Sequence, residues 1–344
     1  MKKILLGLVM LFAISKISYG QNLDNPGDYM TAISNAHDDM NKKYMAYVSA
    51  ASHGKRARKV DKLRTQAVEA ITKSKYKTID LPMYKGDNSL RQSSIEYIDL
   101  CYKVFNDDYA KIVNMEEIAE QSFDEMQAYL LMKEKVDEKL KEANKKMNKA
   151  EKDFAAKYNV TLVESQSELG EKMEITGKVN SYHKKVFLIF FKCNWQDNEL
   201  TKALNNNKLN DAEQARSSLL KFVEEGLKGI DSLKTFNGDP TMSIACKSAL
   251  MKYKQIAEKE TPKKTDFFLK SENFEKMKKE FEKKKDRTQA DVDAYNKAVK
   301  EFNSAVNISN QAGQNSNNLR NQLNEEWEKA EKDFFDRQIP YFKK

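Results

Sequence analysis

The sequence predicts an all-α fold, an elongated bundle of long antiparallel helices arranged as two related tandem units. Three observations point to it. Glycine and proline are scarce, 11 and 5 in 344 residues, so few positions break a helix. Apolar residues recur at alternating steps of three and four along nearly the whole chain, the spacing of one buried helix face. A turn-like stretch, Leu81-Pro82-Met83-Tyr84-Lys85-Gly86-Asp87-Asn88-Ser89-Leu90, returns in altered form 152 positions later as Leu233-Lys234-Thr235-Phe236-Asn237-Gly238-Asp239-Pro240-Thr241-Met242.

Residues 1–20 read as a secretory signal peptide: a basic start (Lys2, Lys3), an apolar run from Ile4 to Ile14, and small residues at Ser18 and Gly20. The run is shorter than the roughly 20 residues that span a bilayer, and no later stretch is long enough to do so. The mature chain is therefore expected to be exported and not membrane-spanning, in the periplasm, at the cell surface or secreted. Losing Lys2, Lys3 and Lys16 lowers the formal net charge from +8 to +5.

The first unit, residues 21–165, opens with a helix after Asn25-Pro26-Gly27. Its seam runs through Met30, Ile33, His37, Met40, Tyr44, Tyr47 and Ala51. Gly54 bends or interrupts it before Val60, Leu63, Ala67 and Ile71 resume a stripe; unbroken, the element would reach about 70 Å. The Leu81–Asn88 loop carries proline, glycine and aspartate, with Asn88 or Ser89 as N-cap of the next helix. A third helix carries the heptad Met126, Tyr129, Lys133, Val136, Leu140, Ala143, Met147, Ala150 and Phe154.

The second unit, residues 166–344, begins with a helix around Tyr182 to Trp195. Its run Val186-Phe187-Leu188-Ile189-Phe190-Phe191 is apolar on every side, so this helix should be enclosed. A turn at Asn205-Asn206-Asn207 leads to a stripe from Ala212 to Ile230. At the offset of 152, Ile71 meets Val223, Tyr84 meets Phe236, Leu90 meets Met242 and Val104 meets Ile256. Each unit then reads as long helix, Gly-Asp loop, helix, long helix. After Pro262 a short charged helix is expected at about Glu272 to Lys285. A cap at Thr288 with Asp291 starts the last helix, whose Asn-rich centre around Ser309 to Arg320 is expected to fray or bend.

Chemistry is sparse. His37 falls on an apolar seam, His53 beside Gly54 reads as a solvated turn, and His183 reads as structural. Glu116, Glu117, Glu120 and Asp124 share a helix flank, but no histidine follows a glutamate at the spacing a di-metal bundle needs. Cys101, Cys193 and Cys246 lack CxxC or metal-like spacing and read as small buried residues. Gly86-Asp87 and Gly238-Asp239 read as turns and caps. Lys276 to Arg287 is interleaved with Glu280, Glu282 and Asp286, a charged helix face. Basic residues gather into no stripe elsewhere, so no nucleic-acid contact is expected. Tyr97, Cys101, Tyr102, Phe187, Phe190, Phe191 and Trp195 are the one set that would line a gap for an apolar or lipid-like small molecule; core packing is the ordinary account.

The leader, the Leu81–Asp87 loop and the stretch Phe190-Phe191-Lys192-Cys193-Asn194-Trp195-Gln196, set in long charged helices, give a chain that resembles the exported bacterial proteins grouped as LIC-type family surface proteins. The resemblance implies an exported helical protein displayed at the cell surface and brings no activity or functional residue with it. Together these readings lead to a non-enzymatic envelope or surface protein that binds a protein partner and needs no cofactor, with a periplasmic carrier of an apolar ligand as the alternative.

Overall fold

The computed structural model describes residues 23–54, 56–108, 122–162 and 168–342. The leader and Glu116, Glu117 and Glu120 lie outside them. The described chain is an all-α helical bundle; extended pairing among the described residues is limited to two isolated bridges, Tyr84 with Asp87 and Phe236 with Asp239.

Helix α1 spans Pro26–Ser52, where Asn25 Oδ1 accepts from the N–H groups of Gly27 and Asp28 and so satisfies two orphan donors. It stops at His53 and Gly54, with φ of +60° at the glycine, and α2 runs back over Ala57–Ile79. Gly54 thus makes a hairpin and the 70 Å element does not form. Tyr29, Ile33, Met40 and Met45 of α1 and Ala67, Ala70 and Ile71 of α2 are buried. Helix α3 spans Ser89–Lys103 and continues through a π-helical turn, Val104–Asp108. Helix α4 covers Phe123–Lys157, capped by Ser122 Oγ accepting from Glu125 N–H at 3.1 Å.

Helix α5, Glu168–Asn205, is the enclosed element that its apolar run called for. Its Val186, Phe190 and Cys193 face the largest core cluster, while Phe191 completes a second cluster built from α1 to α4. One helix therefore serves two cores. Helix α6 follows over Leu209–Ser232, and α7 over Thr241–Gln255 with a π-helical turn, Ile256–Glu260. Gly226 on α6 leaves room for α5: a Cβ there would meet Ile189 Cγ2 at 3.0 Å and Leu250 Cδ1 at 3.1 Å.

Two elements differ from the sequence expectation. Helix α8 spans Thr261–Lys283, starting well before Glu272, because Pro262 sits in the first turn, where its missing N–H costs nothing. Helix α9 runs unbroken over Gln289–Gln338. Its Asn-rich centre holds because Ala312 and Ser316 are buried there, and the Thr288/Asp291 capping box fixes its start. Beyond it, Tyr341 stacks on His53 at 3.8 Å, and Phe342 N–H donates to Ser49 Oγ at 3.1 Å. His53 is accordingly half-buried rather than a solvated turn.

An offset of 152 separates several elements of the same kind. It relates Ser89–Lys103 to Thr241–Gln255, and Val104–Asp108 to Ile256–Glu260. It also relates the two bridges and their turns, where Lys85 and Gly86 have φ of 49° and 83° and Asn237 and Gly238 have 50° and 79°.

Candidate functional site

The seven aromatic-set residues are divided by the fold. Cys101 and Phe191 are buried in the α1–α4 cluster, with Tyr97, Phe187 and Trp195 packed against it. Phe190 points the other way, where its ring stacks on Trp327 at 4.0 Å and 8°. Tyr102 is 38% exposed. The rings are in contact with one another or with neighbours, as Phe187 is with Phe191 at 5.7 Å. The surface depression at Trp195 is otherwise lined mostly by polar residues, among them Gln196, Glu199, Lys202 and Asn206.

The Gly-Asp stretches are more than turns. Two successive positive φ values make each a type I′ turn, which closes the small bridge. Asp87 Oδ1 accepts from Ser89 N–H at 2.8 Å, starting α3, while its Oδ2 accepts from Lys157 Nζ at 2.7 Å and Tyr158 OH at 2.9 Å. Asp239 does the same for α7 through Thr241 N–H at 2.9 Å, and its Oδ2 accepts from Gln338 Nε2 at 3.0 Å and Arg337 at 3.1 Å. Each aspartate thus ties a turn to the far end of the closing helix. Lys157 and the Ser89 N–H hold the Asp87 carboxyl well below the usual range. For Asp239 burial opposes ionisation, but bonds from Thr241, Gln338 and Arg337 outweigh it and hold it at about 2. Sequence showed the turns; partners 70 and 98 residues downstream gave no local signal.

Much of the polar interior is paired, although His53 Nε2, Tyr182 OH and Thr201 Oγ1 are buried without a hydrogen-bond partner. His37 Nε2 lies 2.6 Å from Ser94 Oγ, and burial pushes its pKa down to about 4, so it is a neutral core histidine at pH 7. His183 meets Glu331 at 2.6 Å. Asp197, 2% exposed, receives both Arg320 Nε at 2.6 Å and its Nη2 at 2.8 Å, a bidentate pair joining α5 to α9. Tyr253 OH donates to Asn194 Oδ1 beside it. Burial, then the Arg320 charge, lowers the pKa of nearby Lys264. All three cysteines are free and buried, and burial raises each thiol to about 12, away from nucleophilic chemistry. Among the described residues no cluster of histidine, cysteine or carboxylates is placed to hold a metal, and no helix is long and apolar enough to cross a membrane.

What remains is an arm. Between Thr265 and Ala305 no residue of α8, its turn or the start of α9 is fully buried, and past Phe268, which packs on the core at the base, this hairpin extends away from the core. Stacked rings hold it: Phe274 on Phe302 at 4.6 Å and 16°, and Phe281 on Tyr295 at 4.3 Å and 7°. Such pairs contribute about 0.5–1.5 kcal/mol each beyond area burial. Arg287 closes the tip, its guanidinium 4.5 Å from the Phe281 ring and its Nε donating to Phe281 O at 3.0 Å. The lysine-rich run Lys276–Arg287 forms this tip, partly neutralised by Lys276–Glu272 at 2.8 Å and Lys284–Asp291 at 2.6 Å.

No protein-family model, no curated protein and no solved structure matches the chain.

Proposed function

We propose that the protein is an exported, non-enzymatic helical scaffold of the cell envelope or surface, and that the α8–α9 arm is the element it offers to a protein partner. The arm carries the reading: beyond Phe268, which packs against the core at its base, it is an aromatic-stacked hairpin with no fully buried residue before Ala305, so contact outside the chain is the use its geometry fits. The buried thiols, pushed up to about 12, support a non-enzymatic role. Export rests on the tripartite pattern of residues 1–20, and the likeness to LIC-type family surface proteins points the same way.

We read the two helix sets as copies of one ancestral unit. At an offset of 152 the turns and α3/α7 correspond. The clamps Lys157–Tyr158 and Arg337–Gln338 correspond at 180, and the excess of 28 (180 − 152) falls after Glu260, where the arm lies. On this reading the arm is an insertion into the second copy.

The test is crosslinking of an epitope-tagged chain on intact cells, against a form in which Phe267–Phe302 is replaced by a short Gly/Ser turn. The full chain is expected to be processed near Gly20 and to form an adduct that the shortened chain loses while keeping its cooperative thermal unfolding. Equal adducts from both forms overturn the role of the arm; an unprocessed chain retained in the cytoplasm overturns export.

A further inference from the structure

Helix α9 carries a second unusual surface. From Phe302 to Asn324 its single charged residue is Arg320, which is tied to Asp197. A chain one third charged would place about seven charges in such a stretch. Asn303, Asn307, Asn310, Gln314, Asn317, Asn321 and Asn324 instead follow one another at steps of three and four, and all seven are exposed. They form one stripe about 31 Å long. Asparagine is a poorer helix former than the lysine and glutamate used on the other exposed faces, so helix stability does not explain the choice.

The stripe is also close to palindromic about Gln314. Asn307 and Asn321 lie seven positions to either side, Asn310 and Asn317 four and three, and Asn303 and Asn324 eleven and ten. Just past its ends, Lys300 and Glu328 lie fourteen positions to either side, exposed and of opposite sign. In an antiparallel pair about a twofold axis, positions equidistant from the axis face one another, so carboxamides here meet carboxamides and Lys300 meets Glu328. Carboxamides both donate and accept, so each can pair with its own kind. Two copies of a mature chain with net charge +5 repel generally and approach best through a face without charge.

We propose that this face binds a second copy of the protein, with the two α9 helices antiparallel about Gln314 and Lys300 of each copy opposite Glu328 of the other. Ile308, 44% exposed beside the stripe, adds apolar contact. One helix-on-helix contact of this length is at the small end of specific interfaces, so the dimer forms in a concentration-dependent way.

Sedimentation equilibrium of the mature protein tests this. A monomer–dimer equilibrium is expected below about 0.1 mM. Lys300→Glu opposes like charges across the axis and weakens association roughly tenfold, and adding Glu328→Lys restores it. Gln314→Cys is expected to form a disulfide-linked dimer at least roughly tenfold faster than the exposed control Lys221→Cys, because the native cysteines are buried and do not compete. A monomer at every concentration, a double variant no better than the single one, or equal crosslinking at positions 314 and 221 overturns the proposal. So does a chain that stays monomeric and binds a soluble polysaccharide or another protein through this face.

Discussion

The two helix sets share a turn and differ in what stands behind it. In the first, Tyr29, Tyr84, Phe154 and Tyr158 gather around the Lys85-Gly86 turn; in the second, Tyr182, Phe236, Phe334 and Phe335 gather around Asn237-Gly238. Further along the same helices, Tyr44 and Leu140 pack on an apolar cluster, whereas the second set holds the buried ion pair Asp197–Arg320. Aromatic side chains surround both turns, while only the second interior adds a buried ion pair to its apolar cluster. A turn clamped at both ends fixes how the helices meet, and the interior beyond it then tolerates either solution.

That contrast can be broken at graded cost. The largest loss is expected from Phe154→Ala and Phe334→Ala, both fully buried, at about 3–5 kcal/mol each in urea unfolding. Comparable losses at the two sites support equivalent roles; a loss confined to one would dissolve the equivalence. Next comes Arg320→Ala, which strands Asp197 without its partner and costs about 3 kcal/mol. The double variant Asp197→Met/Arg320→Leu, which replaces the buried pair by apolar side chains, should recover most of that. If it is no more stable than Arg320→Ala, the two interiors are not interchangeable.

Smaller effects come from the turns. Asp87→Asn and Asp239→Asn each remove a charge-assisted clamp, with an expected cost of about 1–2 kcal/mol at neutral pH. Both carboxyls have lowered folded pKa values, so their stabilisation is complete above the ordinary carboxylate value near 3.8 and fades as pH falls through the folded value, about 2 for Asp239. The gap between thermal melts of wild type and the double Asn variant should therefore narrow from pH 5 down to pH 2; a constant gap refutes the assignment. The smallest effect is a gain. Lys85 holds φ of +49° where the second turn uses Asn237, and asparagine tolerates that region better, so Lys85→Asn should stabilise by about 0.5 kcal/mol.

Sequence periodicity revealed most of the bundle because each seam reports its own helix. The heptad of α4 and the stripe of α6 appear where spacing put them, and the all-apolar run of α5 is enclosed between two clusters. What stayed hidden depended on distant residues. Gly54 could bend or break its helix, and only the packing of α2 on α1 chooses the break. Pro262 looked like a stop because the sequence does not reveal whether its missing N–H falls inside a helix or in its first turn. The Asn-rich centre of α9 looked weak because the packing of Ala312 and Ser316 and the reach of Arg320 to a residue 123 positions away have no local signature. The stacking of Phe274 on Phe302 and of Phe281 on Tyr295 within the arm likewise has no local signature.

The arm also has a mechanical side. Its base is gripped where Thr265 and Ala305 enter the core, and its tip lies about 27 Å out along α8. Stacked rings make it a stiff lever, so a rotation of about ten degrees at the base sweeps the tip through about 5 Å. A load applied near Arg287 is thus delivered with leverage to Thr265 and Ala305. Those two residues stand within one or two helical turns of the buried Glu260 and of Ala312, the part of the bundle that a pull on the tip would strain first.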